Sequence, residues 1–231
     1  MLELQDVTIT QGAFRLSADF VVAKSARVAV IGPSGAGKST LLSVIAGFYP
    51  AESGRILWDG TDITHIQPGK RPLSILFQDQ NLFPHLTIAQ NVGLGLRPDL
   101  RLSPADHEAV SRALTRTGLQ GMEARKPATL SGGQQGRVAL TRALLRARPL
   151  MLLDEPFAAL GPALKAEMLD LVAEITDETG ATVLMVSHAP EDARRFAPET
   201  ILVAEGTAHP PHPTTALLDN PPPVLAAYLG Q

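Results

Sequence analysis

A chain of 231 residues, 45% of them apolar, is long enough to bury a sizeable core without staples. The lack of cysteine excludes a disulfide framework and a thiolate metal site. A formal net charge of -3 leaves no basic excess for a nucleic-acid surface, so no nucleic-acid partner is expected.

The N-terminus, Met1-Leu2-Glu3-Leu4-Gln5-Asp6, lacks the basic and apolar regions of a secretory signal. No apolar run approaches the roughly 18 to 20 residues that span a bilayer, so the expectation is a cytoplasmic protein that meets a membrane only through a partner. Leu2, Leu4, Val7 and Ile9 alternate loosely with polar residues, and Phe14, Leu16, Ala18 and Phe20 alternate cleanly. The spacing predicts an antiparallel strand pair. Arg27–Ile31 is a short apolar run suited to a buried strand, and Leu41, Leu42, Val44 and Ile45 follow at helical spacing.

Between that strand and that helix lies Gly32-Pro33-Ser34-Gly35-Ala36-Gly37-Lys38-Ser39-Thr40, which fits the phosphate-loop template. The glycines let the backbone N–H groups approach a polyphosphate closely. Lys38 adds a point charge, the Ser39 hydroxyl can ligate Mg2+, and the helix turns its positive end toward the same anion.

Gly47 and Pro50 end the helical run, and 54–60 reads as a strand closed by Asp59-Gly60. Leu73–Phe77 is a further strand, ending at Gln78. From about 79 to 147 helix starts replace strands, which suggests an inserted helical subdomain; Ser103-Pro104-Ala105-Asp106 is one such opening. Another helix starts near Gly132. Leu150–Leu153 is a buried strand running into Asp154-Glu155, at the end of the strand where ligands sit in open α/β sheets. Asp154 suits a Mg2+ position, and Glu155 suits the polarisation of an attacking water. Leu164, Met168, Leu171, Val172 and Ile175 share a helical face closed by Gly180, 182–186 is a strand ending at Ser187-His188, and 201–204 is the last strand expected. The Pro-rich tail from 206 predicts loop with one or two short helices.

The stretch Leu130-Ser131-Gly132-Gly133-Gln134-Gln135 places a Ser hydroxyl and two glycines before a helix, a second anion-binding helix start in a chain that already has one. Here the sequence resembles the ATP-binding cassette (ABC) family, and the resemblance covers nearly the whole chain. It implies a P-loop NTPase core, a mainly parallel sheet covered by helices, with an N-terminal antiparallel β subdomain and an inserted α-helical subdomain, all within a single ATP-binding domain over 1–231. It also implies a short tail over about 206–231 and no regulatory domain. The resemblance further implies ATP and Mg2+ as ligands and a head-to-tail homodimer, in which Ser131, Gly132, Gly133 and Gln134 of one subunit close over the γ-phosphate held by Lys38 of the other. Gln78 takes the place of the family's sensor of Mg2+ and water, and His188 that of its switch histidine. Membrane permease subunits are implied as partners and a solute-binding protein indirectly, with the chain peripheral on the cytoplasmic face of the cell membrane.

Within the family, the runs 35–48, 76–83 and 91–96 look most like the ATP-binding subunits of bacterial thiamine importers, which implies import of thiamine or its phosphates. Import of another small solute such as iron or a polyamine, and a soluble cassette ATPase outside transport, remain the alternatives. Three departures from the family pattern stand out. Gln11 occupies the position of the adenine-stacking aromatic, with Phe14 the nearest replacement; Gly161 stands where an Asp is usual; and Gly136 replaces a long polar side chain.

Overall fold

The computed structural model describes residues 1–77, 79 and 81–230. β1 (Leu2–Gln11) and β2 (Phe14–Val22) pair antiparallel across a turn in which Gly12 is left-handed, with Gln11 opposite Phe14. The apolar positions of β1 change parity between Leu4 and Val7 because the register shifts there. A bulge inserts one residue beside Asp6 (φ +48°), so Leu2, Leu4, Val7 and Ile9 all reach the core. The bulge also explains a glycine in β4 (Ser53–Trp58). Gly54 has φ +85°, and a Cβ on it would lie 2.4 Å from the Asp6 carbonyl oxygen. β4 then turns through Asp59 and Gly60, both at positive φ, into β5 (Thr61–Asp62), the two-residue hairpin that Asp-Gly favours.

β3 (Arg27–Ile31), β6 (Leu73–Leu76), β7 (Leu150–Asp154), β8 (Thr182–Val186) and β9 (Glu199–Ala204) form the parallel core in the order β9-β3-β8-β7-β6. Both faces are covered. Val28 and Val30 pack with α1 (Lys38–Ala46) and the N-terminal strands, while Ala29 and Ile31 pack on the opposite side with Met168, Leu169 and Val172 of α5 (Pro162–Thr179) and Phe196 of α6 (Pro190–Phe196). Burial on both sides accounts for continuous apolar runs in place of alternation.

Three two-residue strands escape sequence reading: β5, described above, and two more in the tail. β10 (Thr207–Ala208) pairs with β9 on one side and β2 on the other, joining the parallel and antiparallel halves, and β11 (His212–Pro213) lies on β9. Strands of two residues carry no alternation to detect, so the expected end of the sheet at Ala204 is corrected. The face of α5 is corrected as well. Met168, Leu169, Val172 and Thr176 are buried, whereas Leu164, Leu171 and Ile175 are half-buried. A threonine can sit in that apolar face because its hydroxyl bonds the Val172 carbonyl, at 2.6 Å.

Between β6 and β7 the chain forms α2 (Ile88–Gly93), α3 (Pro104–Arg116) and α4 (Gly132–Leu145). Each opens with a reciprocal capping box, Thr87 with Gln90, Ser103 with Asp106 and Ser131 with Gln134. They share an apolar cluster of their own built on Ile88, Val92, Val110, Leu114 and Val138. The tail folds as α7 (Thr214–Asp219) and α8 (Pro223–Leu229), the short helices expected there. Among the described residues no helix is long and apolar enough to cross a membrane.

Candidate active site

The order β3-β8-β7 assembles the site. Val30 of β3 pairs with Val186 of β8, which pairs with Asp154 of β7, so three chain segments leave the sheet from one rung. The phosphate loop follows β3, Glu155 follows β7 and His188 follows β8. This is the carboxyl edge, where open parallel sheets bind ligands.

Two loop glycines are required by close approach. A Cβ on Gly32 (φ +148°) would lie 2.0 Å from the Val203 carbonyl oxygen, and one on Gly37 (φ +103°) would lie 2.5 Å from Cζ of Phe14. Lys38 is buried and its ammonium donates to the carbonyls of Gly32 and Pro33, at 2.8 and 2.9 Å. Burial pushes its pKa down, opposed by the nearby charges of Glu155 and Asp154. Gly37, the N-cap of α1, offers no side-chain hydrogen bond, which leaves the first-turn N–H groups for an anion. Pro33 and Ala36 close the loop through a bond from the Ala36 N–H to the Pro33 carbonyl, at 3.2 Å.

Ser39 Oγ donates to Asp154 Oδ1 at 3.0 Å. Burial raises the Asp154 pKa, the Ser39 hydrogen bond lowers it, and the neighbouring Glu155 charge adds to the rise. Glu155 is left-handed, φ +48°, an uncommon conformation for a residue with a side chain. Its Oε1 pairs with Nε2 of His188. Lys38, Ser39, Thr40, Glu155 and His188 line a single cleft of about 430 Å³, which extends past Ser34 and Gly35 to Gln11 and Phe14 at the hairpin tip.

The loop carrying His188 has a support that the sequence reading passed over. Asp192 is buried and its Oδ2 accepts from Ser187 Oγ at 2.6 Å and from Lys165 Nζ at 2.7 Å; Ser187 Oγ in turn accepts from the Ala189 N–H at 3.1 Å. Ser187, Ala189 and Asp192 are close in sequence, whereas Lys165 comes from α5 and nothing in the sequence joins it to them.

Other expected site residues lie elsewhere. Ser131 caps α4 with its own Gln134, and none of Ser131, Gly132, Gly133 and Gln134 lines the cleft. A Cβ on Gly133 would meet Leu160 at 2.6 Å, whereas one on Gly132 would enter open space. Gly161 is the N-cap of α5 and makes no side-chain cap bond. Gln78 lies outside the described residues.

A phosphate loop facing a strand-end Asp-Glu pair and a histidine defines a nucleoside-triphosphate site. The ABC transporter family model matches residues 17–158. The chain is 61% identical to the thiamine import ATP-binding protein ThiQ of Ruegeria sp. (strain TM1040), over all of both chains. It is 64% identical to the ThiQ of Cereibacter sphaeroides, again over all of both. Among solved structures it is similar to the dimeric ATP-binding cassette MJ0796 in a post-hydrolysis state bound to ADP and Pi, with a TM-score of 0.82 and 29% identity, covering 93% of this chain and 99% of that one. The chain belongs to the ABC transporter family and is accordingly an ATP-binding cassette with ATPase activity.

Proposed function

We propose that this chain is the ATP-hydrolysing subunit of an importer of thiamine or thiamine phosphates, working as a head-to-tail homodimer against membrane permease subunits. The observation that carries the mechanism is the division of its motifs. The cleft holds Lys38, Ser39, Glu155 and His188 together, while Ser131–Gln134 do not line it, so a second copy is the natural source of the missing wall. The cargo rests on the relatives, both named as thiamine import proteins and matched over their full length.

In this reading Lys38 and the N–H groups of 32–40 hold the β- and γ-phosphates. Ser39 Oγ and Asp154 Oδ1 are hard oxygen donors at adjacent positions, a fit for Mg2+ completed by phosphate and water oxygens. When bound there, Mg2+ supplies positive charge against the phosphate oxygens. Glu155 accepts a hydrogen bond from the attacking water and takes its proton, and His188, paired with Glu155 through Nε2, helps to place that water. Gln78 links this site to the permease. Residues of about 79–147 act as the lobe that presents Ser131 to the other subunit, supported by their separate apolar cluster.

The permease surface lies around the segment that carries Gln78. Phe48 is about half exposed and stands edge-on to Phe77, the residue before Gln78 in the sequence, at 5.3 Å. An exposed aromatic pair of this kind suits a docking face. The chain is then peripheral on the cytoplasmic side of the membrane, and a solute-binding protein acts on it only through the permease.

The test is hydrolysis by the chain reconstituted with its permease in lipid, with and without thiamine-loaded binding protein, using Glu155→Gln as the blank. Stimulation by thiamine is expected. Hydrolysis indifferent to thiamine would remove the cargo, and turnover by Glu155→Gln would remove Glu155 as the base.

A further inference from the structure

The loop Ser187-His188-Ala189 is held on one side by Asp192 and Lys165. A second support reaches it from the tail. α8 docks through Leu225, which is fully buried, and through Val224, Tyr228 and Leu229, against a cluster that includes Phe196, Leu202 and Leu218. That packing fixes one face of a short helix and carries the Tyr228 hydroxyl onto the catalytic loop. The hydroxyl donates to the His188 carbonyl at 2.9 Å and stands 3.5 Å from the His188 Nδ1.

We propose that Tyr228 is a positioning residue for hydrolysis: its hydroxyl fixes the His188 peptide and ring so that Nε2 is presented to Glu155. The inference rests on the reading of Glu155 and His188 as the pair that manages the attacking water. The geometry gives the reason such a residue is needed. The His188 side chain is 45% exposed, and its opposite ring nitrogen is committed to Glu155. Without an anchor on the backbone side, the imidazole is free to turn about its own bonds and the Glu155 carboxylate loses a fixed partner. A histidine that acts through one ring nitrogen is commonly set by the group on the other side. Burial, together with the charges of Glu155 and Glu191, pushes the Tyr228 pKa up, so the phenol stays a donor. C-terminal α8 thereby becomes part of the site even though it carries no recognisable motif.

The experiment uses the full chain in its hydrolysing assembly and compares Tyr228→Phe, His188→Ala and the parent for kcat, the KM for ATP and melting temperature. Tyr228→Phe keeps the ring and its packing and deletes one hydrogen bond. The expected result is a kcat lowered roughly fivefold, the scale of one net hydrogen bond, with KM and melting temperature unmoved. A second readout independent of turnover is the 15N resonance of the His188 Nδ1 in nucleotide-free protein, assigned by its loss in His188→Ala and expected to move in Tyr228→Phe.

An inactive His188→Ala beside a Tyr228→Phe of unchanged kcat and unchanged 15N resonance would overturn the inference and leave the reading of the site standing. A kcat loss matched by a fall in melting temperature would reduce Tyr228 to packing and overturn it equally. A His188→Ala variant with full turnover would bring down the underlying reading first.

Discussion

Gln11 and Phe14 face one another at the tip of the β1–β2 hairpin, and both open onto the cleft. The ring of Phe14 already rests on the backbone of Gly37, so the hairpin carries an aromatic to the phosphate loop even though Gln11 fills the family's usual stacking position. Phe14→Ala is therefore expected to raise the KM for ATP about fivefold, the loss of roughly 1 kcal/mol of ring stacking, with kcat little changed. Phe14→Leu separates the two roles of the ring, since it retains apolar contact with the loop and cannot stack. An ATP titration of both variants checks this, and an unchanged KM would remove Phe14 from the adenine site. The residues proposed to hold phosphate were legible in the sequence because their chemistry is local: one loop must wrap one anion, and its glycines and Lys38 fall within a single short run. Asp192, Lys165 and Tyr228 were not legible. Lys165 and Tyr228 act through contacts between segments distant in sequence, Tyr228 across 40 positions, and a lone Tyr or Lys on a helix carries no mark of it; Asp192 is only five positions from Ser187 but matches no motif read there.

At the scale of elements, α1 is closed at its far end by a buried cation. Arg71 is nearly inaccessible, and its guanidinium donates to the carbonyls of Val44, Ile45, Thr64 and Ile66 at 2.7 to 2.9 Å. It satisfies the last carbonyls of α1, where the negative end of the helix dipole favours a cation, and ties them to the segment leading into β6. Burial pushes the Arg71 pKa down, opposed by the nearby charge of Asp62. Arg71→Ala removes the donor from these four carbonyls, of which Val44 keeps the Gly47 N–H, and is expected to cost about 3 kcal/mol of stability. For a chain of this size that is a melting temperature lower by roughly 6–12 °C, read by calorimetry. Arg71→Lys should recover only part of the loss, because a point donor cannot serve both sides of the fork. The strands and helices themselves were largely readable, since burial on both faces leaves continuous apolar runs and glycines mark the helix ends. The order of the strands was not, nor were β5, β10 and β11, because pairing is decided by contacts between segments rather than by pattern within one.

Taken as a whole molecule, the chain presents two unfinished surfaces. One is the aromatic pair of half-exposed Phe48 and Phe77, edge-on at 5.3 Å. Phe48→Ser is expected to weaken binding to the permease by at least tenfold while leaving nucleotide binding by the free chain intact, as measured by co-purification and ATP titration. The other is the pair of half-sites, the cleft over Lys38 and the α4 start at Ser131, which one copy does not bring together. The account requires that they meet across a dimer and that ATP drives the meeting. The most direct measurement is sedimentation of Glu155→Gln with Mg2+ and ATP, set beside the same protein with ADP. A dimer with ATP and a monomer with ADP is the predicted result, lost when Ser131→Arg fills the gap. A protein that binds ATP at saturation and still sediments as a monomer, alone and with its permease present, would contradict the account.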